Sequence, residues 1–233
     1  MNYTPYSFSK ISTYNSCPKK FEFQFVLKVG DVNLDTPALA KGRCVHSILE
    51  YYPNVPDDIK ENEMFGEAKE VCDKFLSSKL GHYVLSDKPK FVEQKIGLNK
   101  KLQPCDYKDE DVLFKGIVDQ IIIDDILMIN DFKTGKYRDI KYQSFDQLMF
   151  YAIYFFIKFP NISKIQISYL YVEHNLENKI QLEREFLDNY KKQLLTNIIN
   201  IENDKIFNYN YSRLCDWCGF NVMCEKYLKE KNG

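Results

Sequence analysis

Asp119, Asp131 and Lys133 stand in apolar surroundings where a buried strand ordinarily carries no charge. They lie within residues 116–136, where apolar runs at 117–123 and 126–129 flank Asp124-Asp125, the pattern of a β-hairpin with a polar turn. Ionised groups on a core strand are costly unless paired or bound to a metal. Side chains alternate along a strand, so Asp131 and Lys133 point one way and Phe132 the other. The turn decides where Asp119 goes. A two-residue loop pairs Ile123 with Ile126 and puts Asp119 on the face opposite Asp131. A three-residue loop, or one bulge, pairs Asp119 with Asp131 and sets both beside Lys133. This second register is predicted, because two carboxylates and a lysine on one face make a coherent site for a hard divalent cation such as Mg²⁺. The lysine would orient a water or offset charge on a phosphate. The plain alternative is a surface hairpin with scattered charges.

Other groups can be weighed against that site. His46, in Gly42-Arg-Cys-Val-His46, sits on a predicted helix. A lone histidine there is more often packed or at the surface, yet a neutral imidazole can add one nitrogen to a metal already held by carboxylates. Glu93, on the strand predicted before the hairpin, either joins the site or faces solvent. Gln147 and Tyr151 are four apart on a predicted helix and share a face. Tyr151 reads as one core aromatic among Phe150, Tyr154 and Phe155, or, with Gln147, as a donor to a phosphate or to the lysine region.

Cys215-x2-Cys218-x5-Cys224 places three thiols at a density that suits zinc or an iron–sulfur cluster, either of which needs four ligands. Cys17, Cys44, Cys72 and Cys105 are candidates for the fourth. Cys17, followed by Pro18 at the other end of the chain, is the best, since it would clasp both termini and restrict the unfolded ensemble. Three unligated cysteines in a terminal helix are the alternative, and spacing alone does not choose between the metals.

The elements that must position these groups follow from periodicity and breakers. Ser7 or Ser9 caps a first helix, Pro18 opens a second segment, and the aromatic-rich run Phe21, Phe23, Phe25, Val26 and Leu27 reads as helical. A helix runs from Thr36 or Pro37 to about Tyr52, and another over 58–80. Residues 91–98 form the first of three strands leading to Lys133, 99–111 is a loop, and 142–159 is a strongly apolar helix stopped by Pro160. Strands at 164–172 and 179–183 precede a last long helix at 186–203. The fold class is therefore α/β or α+β with one central mixed sheet flanked by helices.

With 233 residues and 45% hydrophobic content there is ample material for a core. A single domain is expected, with an N-terminal helical part (1–85), a sheet core (86–185) and a C-terminal helix and cysteine segment (186–233). No run approaches the roughly 18 apolar residues of a membrane span, and the N-terminus lacks a signal-peptide core, so a soluble cytosolic protein without a membrane partner is expected. Seven cysteines, an odd number, argue against a closed disulfide framework and point to metal. A net charge of −1 gives no global basic signature. Any nucleic acid must be held by local patches, one at Lys133, Lys136, Arg138 and Lys141, the other at Lys10, Lys19, Lys20, Lys28, Lys41 and Arg43.

Taken in order, Ser7-Phe-Ser9 through Cys17-Pro18, Gly42-x3-His46, Gly116-x2-Asp119, Asp131-Phe-Lys133-Thr-Gly135, Gln147-x3-Tyr151 and the cysteine trio resemble the PD-(D/E)XK nuclease superfamily. The closest likeness is to its RecB-like branch, which includes the AddB helicase–nuclease and the CRISPR adaptation nucleases. The leading Pro-Asp of the signature is reduced here to Val118-Asp119. The resemblance implies a restriction-endonuclease-like core in which His46, Asp119, Asp131 and the carbonyl of Phe132 bind catalytic Mg²⁺ or Mn²⁺. It makes Lys133 the catalytic lysine and sets Gln147 and Tyr151 near the DNA. It also favours a [4Fe-4S] cluster over zinc on Cys17, Cys215, Cys218 and Cys224. A DNA exonuclease of recombination, repair or phage DNA processing is expected, in a bacterial, phage or viral cytosolic setting. Its DNA would be single-stranded or duplex ends, with aromatics such as Tyr14 and Phe8 stacking on bases and a helicase or recombination partner supplying the motor. The alternatives are a CRISPR-type spacer-processing nuclease, a restriction-type endonuclease, or a nuclease-like DNA-binding module without catalysis.

Overall fold

The computed structural model describes Tyr3, residues 5–29 and residues 36–232. The N-terminal part comprises α1 (Phe8–Ser16), α2 (Pro18–Phe21), α3 (Pro37–Tyr51), α4 (Asp57–Lys60), α5 (Phe65–Leu76) and α6 (His82–Leu85). Six strands follow, β1 (Lys90–Asn99), β2 (Pro104–Cys105), β3 (Val112–Ile123), β4 (Leu127–Lys133), β5 (Lys164–Tyr171) and β6 (Leu176–Glu183). Helix α7 (Asp146–Lys158) lies between β4 and β5, and α8 (Leu187–Asn203) and α9 (Glu225–Asn232) come last. The sheet order is β2-β1-β3-β4-β5-β6, with β4 and β5 parallel and the other neighbours antiparallel. This is the expected mixed sheet flanked by helices. The parallel pair exists because α7 carries the chain across from β4 to β5.

Each face of the sheet has its own apolar layer. Under α7 lie Phe114, Val118, Ile121, Ile129, Ile167 and Tyr169, with α1 and α8 beyond. Helix α7 is buried from Leu148 to Phe156, on every side, because sheet and helices enclose it. On the other face α3 and α5 cover Ile122, Phe132, Leu170 and Val172. Ser7 and Thr36 cap α1 and α3, accepting from Lys10 N and Leu39 N.

Several boundaries differ from expectation, for local reasons. The helix over 58–80 is two pieces, broken after Lys60, where Asn62 turns its Oδ1 onto the Met64 amide. The helix expected from Tyr142 begins at Asp146, because Ser144 Oγ accepts the Asp146 amide and residues 140–142 form a separate 3-10 turn. The loop 99–111 contains the short β2, and the run after Phe21 continues as a π-helix (Glu22–Val26). Strand β6 starts at Leu176 because Asn175, at φ 52°, closes a tighter turn.

The hairpin takes the predicted register. Ile123 pairs with Leu127 and Gln120 with Asn130, leaving the three-residue loop Asp124-Asp125-Ile126. The ladder between β3 and β4 ends there, one step before Asp119 and Asp131.

Candidate active site

Strand β3 changes phase at Asp119. Phe114 and Val118 pack under α7, yet Gln120 donates to Tyr83 O, and accepts from Asn130, in the opposite layer. Residues two apart in a regular strand share a face. The reversal is matched on β1, where Glu93 stands opposite at φ 46° between the regular pairs Val92–Gln120 and Gln94–Val118. A left-handed glutamate within a strand is strained and persists only where its surroundings fix it. Both strands thus turn their acids into the gap that opens where β3 leaves β4.

Asp119 Oδ2 accepts the amide of Phe132 at 2.8 Å, replacing the ladder bond that β3 no longer supplies. His46 reaches the gap from α3, its Nδ1 3.4 Å from the same oxygen and its ring edge-on to Phe132. Gly42 lets α3 approach, since a Cβ there would lie 2.8 Å from Thr134 Oγ1 in the loop after β4. His46, Glu93 and Asp119 each offer a ligand atom within 4.8 Å of the others, and among the described residues they form the one such group of three or more. Glu93 is the member that sequence left undecided.

Asp131 lies beside them, 4% exposed. Its Oδ1 accepts from Gln147 Nε2 at 2.7 Å, and its Oδ2 faces the Lys133 ammonium at 2.6 Å. That buried Oδ2 takes part in the ion pair but accepts no hydrogen bond of good geometry. Lys133 Nζ also donates to Gln147 Oε1 at 3.2 Å and sits 4.7 Å above the Tyr169 ring. Tyr169, which pairs with Asp131 across β4 and β5, gave no sequence signal beyond its place on a strand. Tyr151 is core, 6% exposed, and its hydroxyl accepts from Gln147 at 3.4 Å. The Phe132 side chain is buried against Phe75, which leaves only its main chain for the site.

Burial, and next the Asp131 carboxylate, push the Asp119 carboxyl well above the usual range, and burial and Glu50 raise Glu93. Burial lowers His46 against the pull of Asp131, keeping the imidazole neutral near pH 7 and fit to ligate. Hard carboxylate oxygens, a neutral imidazole and the buried Asp131 Oδ2, which accepts no hydrogen bond of good geometry, are a donor set that fits Mg²⁺ or Mn²⁺.

A raised carboxyl favours folding below its unfolded pKa and loses that contribution as pH rises through its folded value. His46, being lowered, works in the opposite sense, so the two are separated by substitution. In buffer without divalent cations, Asp119→Asn is expected to raise Tm relative to the parent at pH 8, with the difference shrinking toward pH 5. Calorimetric scans across that range check it, and a pH-independent difference would refute the electrostatic assignment.

The expected nucleic-acid residues divide. Lys136 and Arg138 are exposed in the loop after Lys133, and Arg43 is exposed on α3 one turn before His46. Lys10 instead donates to Tyr3 O and Pro5 O, at 2.6 and 3.1 Å. Tyr14 donates to Asp204 Oδ2 at 2.7 Å and packs edge-on against Phe21. Lys19 pairs with Glu22 and lies over Tyr209. Cys17, Cys215, Cys218 and Cys224 line one cavity of about 270 Å³ between the end of α1 and the C-terminal segment. No three of these thiols fall within 4.8 Å of one another.

A sheet that parts between two acidic strands, beside a lysine and an imidazole, is suited to metal-assisted attack on a phosphodiester. The chain belongs to the PD-(D/E)XK nuclease superfamily, whose family profile matches residues 5–225. Membership implies metal-dependent phosphodiester hydrolysis with DNA as substrate. Among solved structures the chain is similar to the crystal structure of SSO0001, at 14% identity and a TM-score of 0.45, over 97% of this chain and 88% of that one. No curated protein matches it. No described helix is long and apolar enough to cross a membrane.

Proposed function

We propose that this chain is a Mg²⁺- or Mn²⁺-dependent exonuclease acting on single-stranded DNA or duplex ends in recombination, repair or phage DNA processing. The observation that carries the reading is the meeting of Asp119, Asp131 and Lys133 at the parting of β3 and β4, with His46 and Glu93 in ligand range. His46, Asp119 and Asp131 would hold the cation, with Glu93 beside them and the Phe132 carbonyl as a further donor. The bound ion supplies Lewis acidity toward the phosphate and a more acidic water. Gln147 fixes Asp131 and Lys133 relative to each other by bonding both. Lys133 positions the attacking water and offsets charge developing on the phosphate. Lys136, Arg138 and Arg43 flank the cleft as phosphate contacts, and a helicase or recombination partner would supply the strand.

Digestion of end-labelled single- and double-stranded DNA with Mg²⁺ or Mn²⁺ tests this, with stepwise loss from ends as the expected result. Discrete bands from a closed circle would make the protein a restriction-type endonuclease. No degradation of any DNA would leave a binding module.

The cysteine quartet extends the proposal to a [4Fe-4S] cluster, with zinc as the alternative. The reading rests on the cysteine spacing and on the four thiols lining one cavity. Anaerobically purified protein should absorb in the blue-visible region, and a colourless zinc-containing protein would overturn the assignment.

A further inference from the structure

Among the described large apolar side chains Trp217 is the most exposed, at 81%, and it is the chain's sole tryptophan. Leu214 and Val222 near it are also in water. Trp217 lines the cysteine cavity together with Lys19 and Lys20. Asp216 is paired with Lys231 at 2.9 Å and Glu22 with Lys19, while Glu225, next to Cys224, has no ion pair among the described residues. Among the described residues Lys20, which lines the cavity, and Arg213, in the 3-10 turn that ends at Trp217, have no carboxylate partner, so two unpaired cations accompany the flat ring.

Polar side chains lie between the start of α7 and this cavity. Asp146, next to Gln147, accepts from Gln193 at 2.8 Å, and Asn197 donates to Gln193 O at 2.9 Å. Asn197 accepts from Asn15 at 2.8 Å, and Ser16 O accepts from Asn210 at 2.7 Å. Ser16 and Asn210 line the cavity with Trp217. These bonds tie the start of α7 to α8 and α8 to the end of α1, and the Asn210 bond ties the end of α1 to the cavity that Trp217 lines.

We propose that Trp217, with Lys20 and Arg213, is a second nucleic-acid subsite, a stacking platform for single-stranded DNA that extends beyond the catalytic cleft. Unpaired bases present π-faces to an exposed ring while cations follow the phosphates, whereas the bases of a duplex are already stacked on each other. The identity of the strand rests on the nuclease reading.

The sole tryptophan makes the test direct. Without added divalent cation, oligothymidylate should quench Trp217 emission, and Trp217→Ala should weaken binding of a labelled strand at least about fivefold, with Trp217→Phe retaining most of it. Lys20→Ala and Arg213→Ala should each flatten the salt dependence of that binding. Emission that stays unchanged while the labelled strand binds, or an unaltered affinity in Trp217→Ala, would overturn the subsite and leave the ring to a protein partner. A protein that is quenched by DNA yet cleaves none with Mg²⁺ or Mn²⁺ would keep the subsite and sink the nuclease reading.

Discussion

Exchanging Lys133 for alanine leaves a folded protein that binds DNA but cleaves it on the order of 10²- to 10³-fold more slowly, the usual loss when one preorganised stabiliser of transition-state charge is removed. Asp131→Ala goes further and abolishes cleavage. The two differ because Lys133, at the end of β4, is partly exposed and can be deleted into solvent, whereas Asp131 is buried and anchors Gln147 as well as the lysine. Asp131→Ala therefore releases Lys133 and Gln147 together and removes a proposed metal donor. Single-turnover cleavage of end-labelled DNA, with binding measured separately in the absence of divalent cations, checks both. Undiminished cleavage in either variant would show that the chemistry lies elsewhere on the surface.

A second large effect is expected from a residue with no functional group. A Cβ on Gly116 would lie 2.9 Å from Tyr151 Cζ and closer still to its ring edge. Tyr151 is buried against Phe114 and holds Gln147 through its hydroxyl, so the ring has nowhere to retreat. Gly116→Ala should destabilise by about 1–3 kcal/mol, as overpacking of a full core does. It should also slow cleavage, because displacing Tyr151 moves Gln147 and with it the Asp131–Lys133 pair. Gly116→Ala combined with Tyr151→Leu should recover stability without recovering rate. Denaturant unfolding beside a cleavage assay separates the two losses, and recovery of both would reduce Tyr151 to packing.

The proximity of Asp131 and Lys133 was legible because their chemistry conflicts with their surroundings. Acids and a lysine in Ile-rich strands demand a reason, and the three-residue loop Asp124-Asp125-Ile126 sets the pairing up to Gln120 and Asn130, one step short of Asp119 and Asp131. The helix pair Gln147 and Tyr151 was legible from spacing alone. Glu93 was not, since its direction depends on a backbone at φ 46° with no glycine to announce it. Tyr14 and Lys10 carry the right groups for binding nucleic acid, but the hydroxyl of one is taken by Asp204 and the ammonium of the other by nearby carbonyls. The first of these partners is 190 positions away in sequence, a distance that no local pattern spans.

That same distance governs how the protein can be made. Tyr6 and Tyr14 donate to Glu202 and Asp204, and Phe21 stacks on Phe207, so the earliest helices finish their packing against residues near the far end of α8. On the ribosome the first segment must wait, with Phe21 and its aromatic neighbours unsheltered, until residues 202–207 have emerged. Synthesis of this molecule therefore exposes its amino-terminal third to chaperones for longer than the central hairpin, whose partners are neighbours in translation.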